Sequence, residues 1–234
     1  MDVILIPGLW LDGASWDAVV PALEAAGHRT HALTLPGMES KDADRSGITL
    51  RDHVDAVVKT IDSLDAIAPL ALVGHSGGGA IAHAAADARP DRIARVIYVD
   101  TWPLGDGGSI NDEYPVENGE VPLPDWSLFE DEDLVGLDDA GRAAFRERAI
   151  PSPVRVARDP QRLYDERRFD VPGTVIACEF TGAELVGWIA SGHPALAEVG
   201  KVRNLAYVDL PTGHWPQFTR PRDLAEAIRV ILAG

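Results

Sequence analysis

The run Leu70-Ala71-Leu72-Val73-Gly74-His75-Ser76-Gly77-Gly78-Gly79, continued by Ala80-Ile81-Ala82-His83-Ala84-Ala85-Ala86, decides how this chain is read. An apolar stretch, a serine set among glycines and an alanine-rich stretch predict a strand, a sharp turn and a helix. Gly74-x-Ser76-x-Gly78 at such a junction is the nucleophile-elbow pattern. Ser76 must take a strained backbone conformation for its Oγ to stand clear of the sheet, and a Cβ at the flanking positions would collide with the strand or helix packed around the turn. A helix starting at Gly77 directs backbone N–H groups and the positive end of its dipole at the same spot, where a developing oxyanion is stabilised.

Outward from this junction, strand-like runs alternate with helical patterns, which argues for parallel βαβ units and an α/β fold. The runs are Val3–Ile6, Thr30–Leu35, Leu70–Val73, Val96–Val99, Val175–Cys178 and Leu205–Leu210, giving a mostly parallel sheet of about six strands with helices on both faces. Ser15 is placed to cap a helix running to Gly27, with Pro21 a possible kink; further helices are expected from about Thr49 to Leu64, around Leu185–Ile189 and from about Arg222 to Leu232. Between Trp102 and Asp170 the periodicity breaks down, apart from one expected helix near Asp139–Ala149. So long an irregular stretch after a strand's C-terminal end predicts a small cap over the ligand crevice. Residues 1–101 and 171–234 then form the two parts of the core and residues 102–170 the cap, all within one structural domain, as suits 234 residues.

A net charge of −16 argues against nucleic acid or an anionic membrane as partner, because both would repel the chain. One cysteine, Cys178, excludes an internal disulfide and fits a reducing compartment; its apolar setting predicts a buried thiol. Asp2 stands where a signal peptide carries basic residues, Val3–Ile6 is too short for a targeting core, and no apolar run approaches the roughly 18 residues of a membrane span. A cytoplasmic protein is the expectation. Oligomeric state is not readable from these residues.

A serine nucleophile requires a base, an orienting acid and oxyanion donors. Of seven histidines, His214 lies in Pro211-Thr212-Gly213-His214-Trp215-Pro216, between the last strand and the last helix, and His193 in Ser191-Gly192-His193-Pro194 near a helix end. His75 flanks the serine and is expected to serve packing or hydrogen bonding behind it. The histidines lack metal-site spacing, and no Rossmann or P-loop glycine pattern occurs, so neither metal nor cofactor is expected.

Ile4-Leu5-Ile6-Pro7-Gly8-Leu9-Trp10, Leu33-Thr34-Leu35-Pro36-Gly37, Gly74-His75-Ser76-Gly77-Gly78 and Thr212-Gly213-His214 together resemble the α/β-hydrolases, specifically the small capped esterases that include plant methyl-salicylate esterases, hydroxynitrile lyases and bacterial relatives. The resemblance implies the chain order serine, acid, histidine, which favours His214 as base, and oxyanion donors at the backbone N–H groups of Leu9 and Gly77. Most members place an aspartate shortly after the strand corresponding to Thr174–Cys178, but Cys178-Glu179-Phe180-Thr181-Gly182 offers none. Asp100, ending the preceding strand, is the favoured acid, with Glu179 and Glu184 as alternatives. A serine at the elbow excludes the aspartate-dependent epoxide hydrolase and dehalogenase chemistries, and Trp215 replaces the lysine of plant hydroxynitrile lyases. The expected activity is hydrolysis of a small ester, lactone or thioester through a Ser-His-Asp triad and an acyl-enzyme. Trp10, Trp102 and Trp215 adjoin the catalytic segments and suggest a pocket for an aromatic or bulky apolar ester. A non-hydrolytic small-molecule receptor and a cofactor-free lyase or cyclase are the alternatives on this scaffold.

Overall fold

In a computed structural model, which describes residues 1–65 and 67–234, the apolar runs become strands. They are β1 (Asp2–Ile6), β2 (Arg29–Ala32), β3 (Leu70–His75), β4 (Ile93–Val99), β5 (Glu120–Val121), β6 (Ser152–Pro153), β7 (Gly173–Ala177) and β8 (Leu205–Asp209). Six of them form one sheet in the order β2-β1-β3-β4-β7-β8, parallel throughout; β5 and β6 pair antiparallel outside it. β1 and β3 are buried along their whole length, as continuous apolar runs require when helices cover both faces. Ile4, Ile6 and Leu72 pack towards the helices α2 (Leu50–Ser63) and α3 (Gly77–Ala88). Their alternating neighbours Val3, Leu5 and Val73 pack with Trp16, with Leu23 from α1 (Val20–Ala25) and with Leu224 and Ile228 from α8 (Pro221–Ala233). The sheet's C-terminal edge is thereby held rigidly between two helix layers, and that edge carries the candidate site.

Local signals account for most helix ends. Thr49 Oγ1 accepts the Asp52 N–H while the Asp52 carboxylate accepts the Thr49 N–H, a reciprocal cap that starts α2. The first helical region departs from expectation. It is a 3₁₀ turn over Gly13–Trp16 followed by the short α1, and Ser15 Oγ donates to the Asp12 carbonyl instead of capping a helix. Pro21 sits in the first turn of α1, where its missing N–H costs nothing, so it starts a helix and kinks none. β2 ends at Ala32, although Leu33 still donates one hydrogen bond to Leu5.

Between β4 and β7 the chain forms β5, β6, α4 (Asp139–Arg148) and α5 (Val154–Arg158), and the sequence-based helix near 139–149 corresponds to α4. The insertion has an apolar core of its own, in which Val121, Leu123, Phe145 and Val156 pack on Leu9, Trp10, Leu11 and Trp215 of the main body. Hydrogen bonds fasten it further. Trp10 donates its backbone N–H to Ser152 Oγ and its indole N–H to the Val121 carbonyl, and accepts the Ile150 N–H. At the far end, the buried Asp87 of α3 accepts the N–H groups of Tyr164 and Asp165 and pairs with Arg168, which also bonds Glu198. Next come α6 (Gly182–Ala190) and α7 (Pro216–Thr219). Among the described residues no helix is long and apolar enough to cross a membrane.

Loss of the α2 cap in Thr49→Ala is expected to cost about 1 kcal/mol of stability. Urea titration should record this as a lower midpoint at unchanged slope.

Candidate active site

Ser76 joins β3 to α3 with φ 51° and ψ −126°, a conformation that L-residues adopt only when their surroundings impose it. Two glycines permit this. A Cβ on Gly74 would lie 2.4 Å from the Gly78 carbonyl oxygen, and one on Gly78 would lie 2.4 Å from that of Ile6. Both clashes are with backbone, so neither is relieved by moving a side chain. The loop after β1 is equally close: a Cβ on Gly8 would fall 2.9 Å from Ser76 Cβ. Leu9, Ser76 and Gly77 all line one cavity, and neither the Leu9 nor the Gly77 N–H donates a hydrogen bond among the described residues.

His214 and Asp100 complete the arrangement. Ser76 Oγ lies 2.9 Å from His214 Nε2, and His214 Nδ1 lies 2.7 Å from Asp100 Oδ2. Asp100 follows β4 with φ 50°, its carboxyl fully buried, and its Oδ1 accepts the N–H groups of Cys178 and Glu179. Burial alone would raise its pKa, but the His214 partner and these two amides outweigh it and keep Asp100 ionised. On His214 burial works against the charged form, whereas the carboxyls of Asp100 and Glu179 favour it, and the net shift is upward. Neighbours hold the His214 loop in place. His75 Nε2–H donates to the His214 carbonyl over 2.6 Å, and Asp133 and Val135 of the insertion accept the N–H groups of His214 and Gly213. Burial drives His75 down to about 3, so it stays neutral. Gly213 allows the close approach, since a Cβ there would meet the Asp133 carbonyl at 2.3 Å.

Of the alternatives, Glu184 is exposed and caps α6 through Thr181, and His193 is exposed beyond the end of that helix. Glu179 does reach the imidazole. Its Oε1 is 2.7 Å from His214 Nδ1. Burial raises its pKa to about 8 against the pull of His214, with Asp100 and Asp133 adding to the rise. Asp100, Glu179 and His214 are the one group of described residues with the spacing of metal ligands. The shared nitrogen faces two carboxyl oxygens, as a protonated Nδ1 does, and the set is not assigned to a metal. Cys178 is buried, and its burial pushes the thiol pKa up, away from reactivity.

A cavity of about 620 Å³ opens over Ser76 and His214. Trp10 and Trp102 line it. Trp215 does not. It is 1 % exposed and packs edge-on to Trp126, Phe129 and Phe145 with ring centroids 5.0–5.9 Å apart, because the backbone that presents His214 turns the next side chain under the insertion. The sequence reading missed Tyr114, Phe129, Phe180 and Trp188, which also line the cavity. Their one signal was aromatic character in an irregular stretch or on a short helix. Trp215→Ala is expected to destabilise the fold by about 3–5 kcal/mol, as removal of a buried aromatic does, which thermal melts will register.

The chain matches the family model described as the alpha/beta hydrolase family over residues 3–227. It is 30% identical to a pyrethroid hydrolase of Sphingobium wenxiniae over 246 residues, covering 97% of this chain and 86% of that one. It is 22% identical to methyl jasmonate esterase 1 of Vitis vinifera over 262 residues, covering 98% and 95%. Among solved structures, an extracellular alpha/beta-hydrolase from a Paenibacillus species superposes with a TM-score of 0.76 at 23% identity, covering 100% of this chain and 99% of the other. The chain therefore belongs to the alpha/beta hydrolase family, among relatives of plant methylesterases and bacterial pyrethroid hydrolases.

Proposed function

We propose that this chain is a serine esterase acting on small-molecule esters with a bulky apolar or aromatic part, through Ser76, His214 and Asp100. One observation carries the reading: the continuous line from Ser76 Oγ to His214 Nε2 and from His214 Nδ1 to Asp100 Oδ2, at 2.9 and 2.7 Å, at the floor of a large cavity. Ser76 Oγ attacks the ester carbonyl carbon while His214 Nε2 accepts the hydroxyl proton. The carbonyl oxygen becomes an oxyanion and receives the N–H groups of Leu9 and Gly77 at the positive end of α3. Collapse breaks the ester C–O bond, and His214 returns the proton to the leaving alcohol. Water then attacks the acyl-enzyme by the same route, releasing the acid and regenerating Ser76. Asp100 holds the tautomer with Nδ1–H and stabilises the imidazolium.

The lining supports this substrate class. Trp102 packs edge-on to Phe180 with ring centroids 5.7 Å apart, Phe180 packs at a tilt against Trp188 with centroids 5.8 Å apart, and Trp188 remains 41 % exposed. Flat apolar surface of this kind favours an aromatic or bulky group. The names of the pyrethroid hydrolase and the methyl jasmonate esterase lend the ester reading independent support.

A panel of aryl and short aliphatic esters tests the proposal. Wild type is expected to turn over aryl esters, with Ser76→Ala and His214→Ala inactive against them; equal turnover by wild type and Ser76→Ala would sink it. Asp100→Asn should lower kcat by roughly 10²- to 10⁴-fold through loss of the correct tautomer. Trp102→Ala should raise KM for a naphthyl ester by about tenfold more than for an acetate ester, a difference of ~1.4 kcal/mol in ring contact. A uniform change across both esters would count against the aromatic pocket.

A further inference from the structure

The end of β7 brings a second carboxyl to the imidazole that Asp100 already holds. Glu179 Oε1 and Asp100 Oδ2 both lie 2.7 Å from His214 Nδ1. That nitrogen has one proton to donate, and its hydrogen bond goes to Asp100; Glu179 Oε1 is buried and makes no hydrogen bond among the described residues. Among the described residues no lysine or arginine lines the cavity, so there His214 is the group able to carry positive charge within reach of either carboxyl. Glu179 faces His214 from the β7–α6 loop and Asp100 faces it from the end of β4; Asp133 and Tyr114 of the insertion lie near Glu179, while His75, neutral, packs tilted behind His214 with ring centroids 5.0 Å apart. An ionised Glu179 would be an unpaired buried anion beside two others. Two arrangements avoid this at equal proton count: neutral Glu179 beside neutral His214, or the Glu179 carboxylate beside imidazolium.

We propose that Glu179 is a second positioning carboxyl for His214, sharing one proton with the imidazole and holding Nδ1 when Asp100 is lost. The geometry allows the exchange, because Glu179 already occupies hydrogen-bond distance and needs only realignment of the Nδ1–H. Removing its charge leaves imidazolium with one anionic neighbour in place of two, so His214 loses its proton at lower pH. The acid limb of the pH profile reports that proton. The proposal rests on the serine esterase reading.

The test is the pH dependence of kcat/KM on an aryl ester for wild type, Glu179→Gln, Asp100→Asn and the double variant. Glu179→Gln is expected to move the acid limb down by about one pH unit, which a merely structural role would leave in place while lowering the whole profile. Asp100→Asn is expected to keep at least about tenfold more kcat/KM than Asp100→Asn/Glu179→Gln, a coupling of the kind that mutant cycles detect. An unmoved acid limb, or equal residual activity in the single and double Asp100 variants, would overturn the proposal. Should the Asp100 variants fail to fold, the profile of Glu179→Gln alone decides. Wild-type turnover that is lost in Ser76→Ala keeps the two readings apart: with it present, an unmoved limb removes only the role of Glu179, and without it both readings fall.

Discussion

The hydrogen bond from His214 Nδ1 to Asp100 Oδ2 is the constraint around which this molecule is arranged. A buried carboxylate is tolerated only when its oxygens are answered, and here imidazole answers one and two backbone amides the other. Those amides belong to Cys178 and Glu179, so β7 must lie beside β4 in register. The imidazole must reach across from the loop after β8, and its far nitrogen must meet Ser76 at the end of β3. Three loops after parallel strands therefore converge on one ring, at the edge where open α/β sheets bind their ligands.

The insertion takes part in this arrangement and does more than cover it. Carbonyls of Asp133 and Val135 hold the backbone of the His214 loop, while Trp10 ties the loop after β1 to β5 and β6. Trp215 is the hinge between the two functions: one residue along from His214, it fills the aromatic core beneath the insertion. Packing of the insertion and orientation of the His214 imidazole are thus coupled through adjacent residues. In the proposed mechanism, an imidazole held this firmly would lose little orientation entropy when substrate arrives.

Much of this was legible in the residues. The elbow could be read because its glycines have a local cause, the collision of Gly74 and Gly78 with neighbouring backbone. Apolar runs gave away the inner strands β1, β3, β4 and β7, since burial on both faces leaves a continuous signature, whereas the edge strands β2 and β8 are only partly buried. The acid could be narrowed but not decided: Asp100 and Glu179 both approach Nδ1, and the choice depends on hydrogen-bond alignment between segments 79 residues apart. The pocket was read by proximity along the chain; Trp10 and Trp102 line the cavity, whereas Trp215 is turned away from it into the aromatic cluster under the insertion. Phe180 and Trp188 lie just before and on α6, where aromatic character alone does not show which way a side chain faces. They join the cavity only once α6 packs beside it.

The central claim is that Ser76 is an activated nucleophile within an assembled line of three side chains. Intact-mass analysis after exposure to a fluorophosphonate probe, on wild type and Ser76→Ala, tests it most directly. The account predicts a single adduct on wild type that is absent from the variant. No adduct on folded wild type, or one that persists in Ser76→Ala, would contradict it.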